Sequence, residues 1–436
     1  MASADWRWQA LCRARRHNPV MDATGLETIA ALDRRLTAAV RGVRILRTVA
    51  LPPQALQDFV AADAAGRTRL PHSDYLRPDL ATERAELAAI IAAVPRQHPL
   101  SGYLLRACAA WLQAAHMLEA VGSAAAGTRS AALYGHPQQT IPGTALTSAQ
   151  AAREFVAVAT ELGDGVDDPS ARHELDAASV QQGLRAALDA HFGVGTVAVE
   201  LDAALTAKAA AGATRIRLRD GTRFSAYDCH QLLMHEAFVH TLTAHNGMAQ
   251  PVLASLARTS PHATATQEGL AVFSELVSGN MDLARLKRIG LRILGIEQAL
   301  AGADFIEVYR YFRAQGQGAD DACGSAARIF RGVPLSGGSA FAKDTVYLHG
   351  LLSVHTFFRW ALRGRRLDLL RNLFAGKMAL RDALEFEPWF ASGALASPRH
   401  LPPWMARTQA LAGGLAFSLF VNRIAMEAVD VNTWLQ

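Results

Sequence analysis

The chain has 436 residues, half of them apolar, which is enough to bury a large core in one or more domains. Charged residues make up 19% and aromatics 7%, a composition that excludes a disordered tail or a fibre. The formal charge of +5 is spread without blocks of one sign, which argues against a nucleic-acid partner.

Cys12, Cys108, Cys229 and Cys323 are widely scattered, form no CxxC pair and read as reduced thiols of a cytoplasmic protein. The N-terminal stretch lacks the apolar core of a signal peptide, and no run of about 18 apolar residues occurs, so no membrane span is expected. The apolar segment from Ala410 to Val421 is too short to span and fits a buried helix. Arginine dominates the basic residues. Lys208, Lys287, Lys343 and Lys377 are the four lysines, which makes each a rarer choice.

Residues 1–22 are Arg-rich and aperiodic and read as a loose leader. Apolar residues at helical spacing then recur over 25–43, after Pro52 and Pro53, after Asp79 as an N-cap, and from Pro99 to Gly122. Residues 23–125 are therefore expected to form a helical N-terminal region. The Gly/Pro/Ser-rich stretch from Ser123 to Ser148 reads as a boundary or draped loop. It leads into a unit over 126–436, either separate or continuous with the first. Helical patterns return from Ser148 and from Ala171. The period then changes: 194–202 and 214–224 alternate or carry β-branched residues, and Asp220-Gly221 signals a turn. The spacing predicts short strands here, with 204–213 as the spacer. Beyond them the pattern is helical except for expected loops over 316–341 and around 398–404. The fold class expected is α+β, predominantly α-helical, with a small sheet beside one special helix.

That helix reads QLLMHEAFVHTLTAHNGMAQP. Ser225 and Asp228 supply a capping-box start, and Asn246-Gly247 a stop. His235 and His240 stand five apart, with Glu236 beside the first, and Glu268 lies in the first turn of the next helix, capped by Thr264 or Thr266. Histidines four apart on a helix point about 40° from each other, whereas five apart they diverge by about 140°. A π-bulge between them, near Ala237 to Val239, would narrow this to about 50°, and such bulges occur mostly at functional sites. With it, His235, His240 and Glu268 can bind one zinc ion, leaving a fourth position for water, and Glu236 can act as general base. On these residues alone, a polar surface patch is the alternative. His230 and His245 are read as chance neighbours, His349 and His355 as core or surface histidines, and Glu275 as a solvated side chain rather than a supporting partner.

Taken together, HEAFVH, NGMAQP, TQEGLA and FAKDTVYLHG resemble the flavohaemoglobin expression-modulating QEGLA-motif proteins, a family that includes the microtubule-associated tyrosine carboxypeptidases. The likeness is clearest from Val194 to Leu352 and touches YGHP near Tyr134. It implies an HExxxH zinc metallopeptidase, most simply a carboxypeptidase acting on a peptide or protein C-terminus, with His235, His240 and Glu268 on the metal and Glu236 catalytic. The Lys343 block carries over as a motif. Lys343, Tyr347 or Arg331 then becomes a candidate for a substrate carboxylate or the oxyanion, with loop anchoring as the alternative. Animal members act on the C-terminal tyrosine of tubulin; this composition suggests a bacterial chain, so that substrate is not carried over. Two other readings stay open: a regulatory or binding protein with a structural or vestigial metal site, and a non-haem iron oxygenase that would leave Glu236 idle.

Overall fold

The computed structural model describes residues 23–141, 143–163, 172–205 and 207–421; the expected leader, 1–22, lies outside them. Helices dominate, and one three-stranded sheet interrupts them between Phe192 and Ala226. Two buried clusters hold the helices together. One joins Ile29 and Leu36 to the sheet, the histidine helix and the late helices; the other packs Val49, Phe59 and Met117 against Phe305, Tyr309 and Phe330. Both draw residues from before and after residue 125.

The early helices Ala23–Ala39, Pro53–Ala64, Ala81–Ala93 and Ser101–Glu119 follow the apolar periodicity. Leu80 occupies the N-cap position of the third, while Asp79 Oδ1 accepts the Ala81 N–H at 3.0 Å. Two expected loops are corrected. Ala124–Tyr134 is a helix, and the connection shrinks to 135–147. Its small residues permit close packing: a Cβ on Gly127 would lie 2.1 Å from Ser339 Oγ. Ala319–Ile329 is also a helix, with Asp320 and Asp321 at its positive end and Ala322, Ala326 and Ile329 fully buried. In both, tertiary burial overrides the turn-like composition.

In the sheet, β1 (Ala198–Asp202) runs parallel to β3 (Arg215–Arg219), and β2 (Ala209–Ala211) pairs antiparallel on the other side of β3. The order is β1-β3-β2, so three alanines of the expected spacer form an edge strand. Val199, Ile216 and Leu218 are buried on one face, while Arg215 and Arg217 pair with Glu200 and Asp202 on the other. β2 and β3 lie against the histidine helix.

The C-terminal apolar helix, Thr408–Val421, is not buried as expected: Leu415 is the one buried residue among 408–418, and Phe417 is 67% exposed. Among the described residues no helix is long and apolar enough to cross a membrane.

Candidate metal centre

The histidine helix begins as the sequence predicts. Ser225 Oγ accepts the Asp228 N–H, and Asp228 Oδ2 accepts the Ser225 N–H, each at 3.0 Å. After one α-helical segment, Ala226–Leu232, the backbone becomes a π-helix over Leu233–Thr241 and returns to α over Leu242–Met248. The expected one-residue bulge is thus a nine-residue π segment. Because a π-helix bonds residue i to i+5, it brings His235 and His240 one turn apart, with ring centroids separated by 4.8 Å.

The end of this helix differs from expectation. Asn246-Gly247 lies inside the last turn, and Gly247 serves close packing rather than a left-handed stop: a Cβ there would lie 2.3 Å from Leu256 O. Asn246 is buried and bridges two loops. Its Nδ2 donates to Phe374 O and His400 O, both at 2.8 Å, while its Oδ1 accepts the Arg399 and His400 amides at 3.1 Å.

Glu268 comes from the helix Thr264–Val277. Ser260 caps the 3₁₀ turn before it, Ala263 takes the N-cap position, and Glu268 falls in the second turn rather than the first. The expected threonine caps do other work: Thr264 Oγ1 donates to Ser260 O, and Thr266 Oγ1 accepts the Leu380 N–H. The neighbours of Glu268 explain the motif around it. Gln267 bonds to Thr243 on the histidine helix at 2.9 Å, and Leu270 and Ala271 fill the core. Gly269 crosses Gly350 of the helix Thr345–Arg363 so closely that a Cβ on Gly269 would lie 2.2 Å from the Gly350 carbonyl carbon.

His235 Nε2 and His240 Nε2 converge on Glu268 Oε2, at 3.5 and 3.7 Å. Ligands at zinc's 2.0–2.1 Å bond lengths in a tetrahedron are separated by about 3.3 Å, so these three atoms can hold such an ion after small adjustment. Among the described residues, this is the group of three with that property. His230 and His245 are outside it: His230 Nδ1 bonds to Ala226 O, and His245 packs against Phe192 and His400. His349 and His355 also lie outside it, half-buried, with burial lowering both rings.

Glu275, expected in solvent, is fully buried beneath His235. Its Oε1 lies 2.6 Å from His235 Nδ1, and both its oxygens accept from Arg285 at 3.0 Å. Glu268 and Glu275 are seven apart, two helical turns, and so share a face; that spacing was the signal available in the sequence. Burial pulls His235 down, yet its bonds to Glu268 and Glu275 outweigh this and lift the ring to about 10. Burial would raise both carboxyls, but Lys343 and the histidines hold Glu268 well below the usual range, and Arg285 with His235 lowers Glu275.

Lys343 Nζ contacts Glu268 Oε1 at 2.6 Å, leaving Oε2 to face the histidines. Asp344 takes Arg328 through both oxygens, at 2.6 and 2.7 Å, and Thr345 Oγ1 donates to Tyr134 O, which ties the YGHP segment to this block. The Tyr347 ring faces Lys343, Arg285 and Arg328 at 5.2, 5.8 and 5.9 Å. Arg331 and Arg288 stand in the same cluster without a hydrogen bond or ion pair among the described residues; burial lowers both guanidiniums. Glu236 is half-buried and likewise makes no hydrogen bond or ion pair with a described residue.

The family model described as microtubule-associated tyrosine carboxypeptidase matches residues 57–423. No curated protein matches the chain. Among solved structures, Trypanosoma cruzi metallocarboxypeptidase 1 is similar at 13% identity and a TM-score of 0.40, over 85% of this chain and 92% of that one.

Proposed function

Because the chain belongs to the microtubule-associated tyrosine carboxypeptidase family, we propose that it is a zinc-dependent metallopeptidase of carboxypeptidase type, acting on a peptide or protein C-terminus. The observation that carries this reading is the convergence of His235 Nε2 and His240 Nε2 on Glu268 Oε2 beside Glu236, which pairs with no described residue. Three protein ligands are what a catalytic zinc site presents, whereas a structural site has four. Bound zinc would supply Lewis acidity, polarising a peptide carbonyl and bringing a water's pKa to about 7.

The chain's own residues do the rest. Glu236 takes a proton from the attacking water and returns it to the leaving amine. Glu275 accepts the His235 Nδ1 proton, which fixes the tautomer that offers Nε2 to a metal. Lys343 turns one oxygen of Glu268 toward the histidines. Of the three side chains expected to bind substrate, Arg331 is the one that pairs with no described residue, and it takes the C-terminal carboxylate; Lys343 and Tyr347 organise the ground around it. β2, an edge strand against the π-helix, offers backbone groups to an extended peptide.

The test is Glu236→Gln. A peptide-library digest read by mass spectrometry should show cleavage by the zinc-loaded wild type and none by the variant, with one zinc per chain in both. Cleavage that survives the substitution sinks the mechanism, and a wild-type protein that cleaves nothing sinks the function.

A further inference from the structure

Among the described residues, Lys343, Arg285 and Lys377 act on the carboxylates of the candidate site, as Arg288 does on Glu275, and the first two are already committed. Lys343 is bound to Glu268, and Arg285 grips Glu275. The third is Lys377, which comes from the irregular segment after the helix Leu367–Asn372. It is 6% exposed, and among the described residues its ammonium has no hydrogen bond and no ion pair. Its charge nevertheless acts on Glu236, Glu268 and His240. The side chain is buried, and an ammonium without a protein partner keeps its donors for an incoming group. Burial pulls this ammonium down to about 8, against the attraction of Glu236 and Glu268.

The backbone around Lys377 is held from several sides. Phe374 O and Ala375 O accept from Asn246 and Gln250, at 2.8 and 3.0 Å. The Lys377 N–H donates to Leu256 O at 2.7 Å, and Gly376 approaches Leu256 so closely that a Cβ would lie 2.7 Å from the leucine's. Leu380 N donates to Thr266, two residues before Glu268. The segment is therefore clamped between the end of the histidine helix and the start of the helix carrying Glu268. The NGMAQP motif, which holds no ligand of its own, contributes the asparagine and glutamine of this clamp.

We propose that Lys377 is the cation that binds the oxyanion. This rests on the peptidase reading above. When water adds to the scissile carbonyl carbon, the new C–O bond forms as the carbonyl π electrons move onto oxygen, and Glu236 takes the water's proton. The Lys377 ammonium stabilises that oxygen until the C–N bond breaks and the amine leaves with the proton from Glu236; the remaining hydroxyl proton of the new carboxyl group then passes to that amine, giving a carboxylate and an ammonium. A preorganised donor in a water-poor site acts more strongly on charge that develops than on the neutral ground state.

The test uses the full-length, zinc-loaded protein as wild type, K377M and K377R. It reads peptide hydrolysis, zinc content, thermal melting, and calorimetric affinity for a phosphinic peptide and for the corresponding product peptide. For K377M, kcat should fall about 100- to 1000-fold with KM within about threefold, the size of effect seen when one oxyanion donor is lost. Phosphinate affinity should fall by a similar factor, product affinity should hold, and zinc and fold should be kept; K377R should recover part of both losses. The proposal is overturned if kcat and phosphinate affinity stay within about threefold, if K377M loses zinc or fails to fold, or if the wild type binds no phosphinate. Phosphinate binding that depends on Lys377 in a protein that cleaves no peptide would remove the peptidase reading and leave the anion site standing.

Discussion

His235 Nδ1 lies 2.6 Å from Glu275 Oε1, and Arg285 holds that same carboxylate from the other side. This buried chain of three sets the ring's tautomer from behind, so that Nε2 is free to face Glu268. Glu275→Ala should weaken zinc affinity by about 10- to 100-fold, as loss of such a partner does elsewhere. It should also destabilise the fold by about 3–5 kcal/mol, because Arg285 is left buried and uncompensated. Zinc titration against a chelator and denaturant melts check both; unchanged zinc affinity in a folded variant would contradict the role.

The crossing of Gly269 and Gly350 sets where Glu268 stands. Gly269→Ala and Gly350→Ala should each cost about 1–3 kcal/mol or more through overpacking. Activity should fall further than stability explains, since small displacements of a reacting group are expensive. Gly324→Ala is the control: it lies within the helix Ala319–Ile329 with nothing within 4 Å of its Cβ position, and should gain up to about 1 kcal/mol. Equal effects at all three positions would mean that the crossing is not special.

Asn246 makes four hydrogen bonds to two separate loops. Asn246→Ala leaves buried amide and carbonyl groups unpaired, at about 1–3 kcal/mol for each group that water cannot reach. Hydrogen exchange should show the 374–377 and 399–400 segments opening faster in the variant. Protection retained in both would show that other contacts hold them.

Asp33 is buried, and its Oδ1 and Oδ2 accept from the Ser255 hydroxyl and amide. Burial raises its carboxyl from 3.8 to about 6, although Ser255 pulls the other way. A carboxyl whose pKa rises on folding favours the folded state while protonated. That contribution is fully present below about pH 4 and lost as pH rises through about 6. Relative to wild type, Asp33→Asn should therefore gain about 3 kcal/mol between pH 4 and pH 7. Paired urea melts across that window measure it, and a difference that stays flat with pH rules it out.

The sequence by itself determined the local features. The five-residue histidine spacing demanded a widened helical turn, and the structure supplies a π-helix over the pair. The Ser225–Asp228 box and most helix spans were legible because capping and apolar periodicity act within a few residues. Tertiary structure decided whatever depended on a distant partner. Glu275 reads as a surface glutamate until Arg285 and His235 enclose it. The segments 124–134 and 319–329 look like loops until packing rewards their small side chains with helical order. Asn246-Gly247 has the letters of a helix stop, yet the Asn246 amide serves chain more than 100 residues away and Gly247 serves a close approach to Leu256. Lys377 was visible only as one of four lysines. Burial decides what a charge does, and burial is a property of the whole fold.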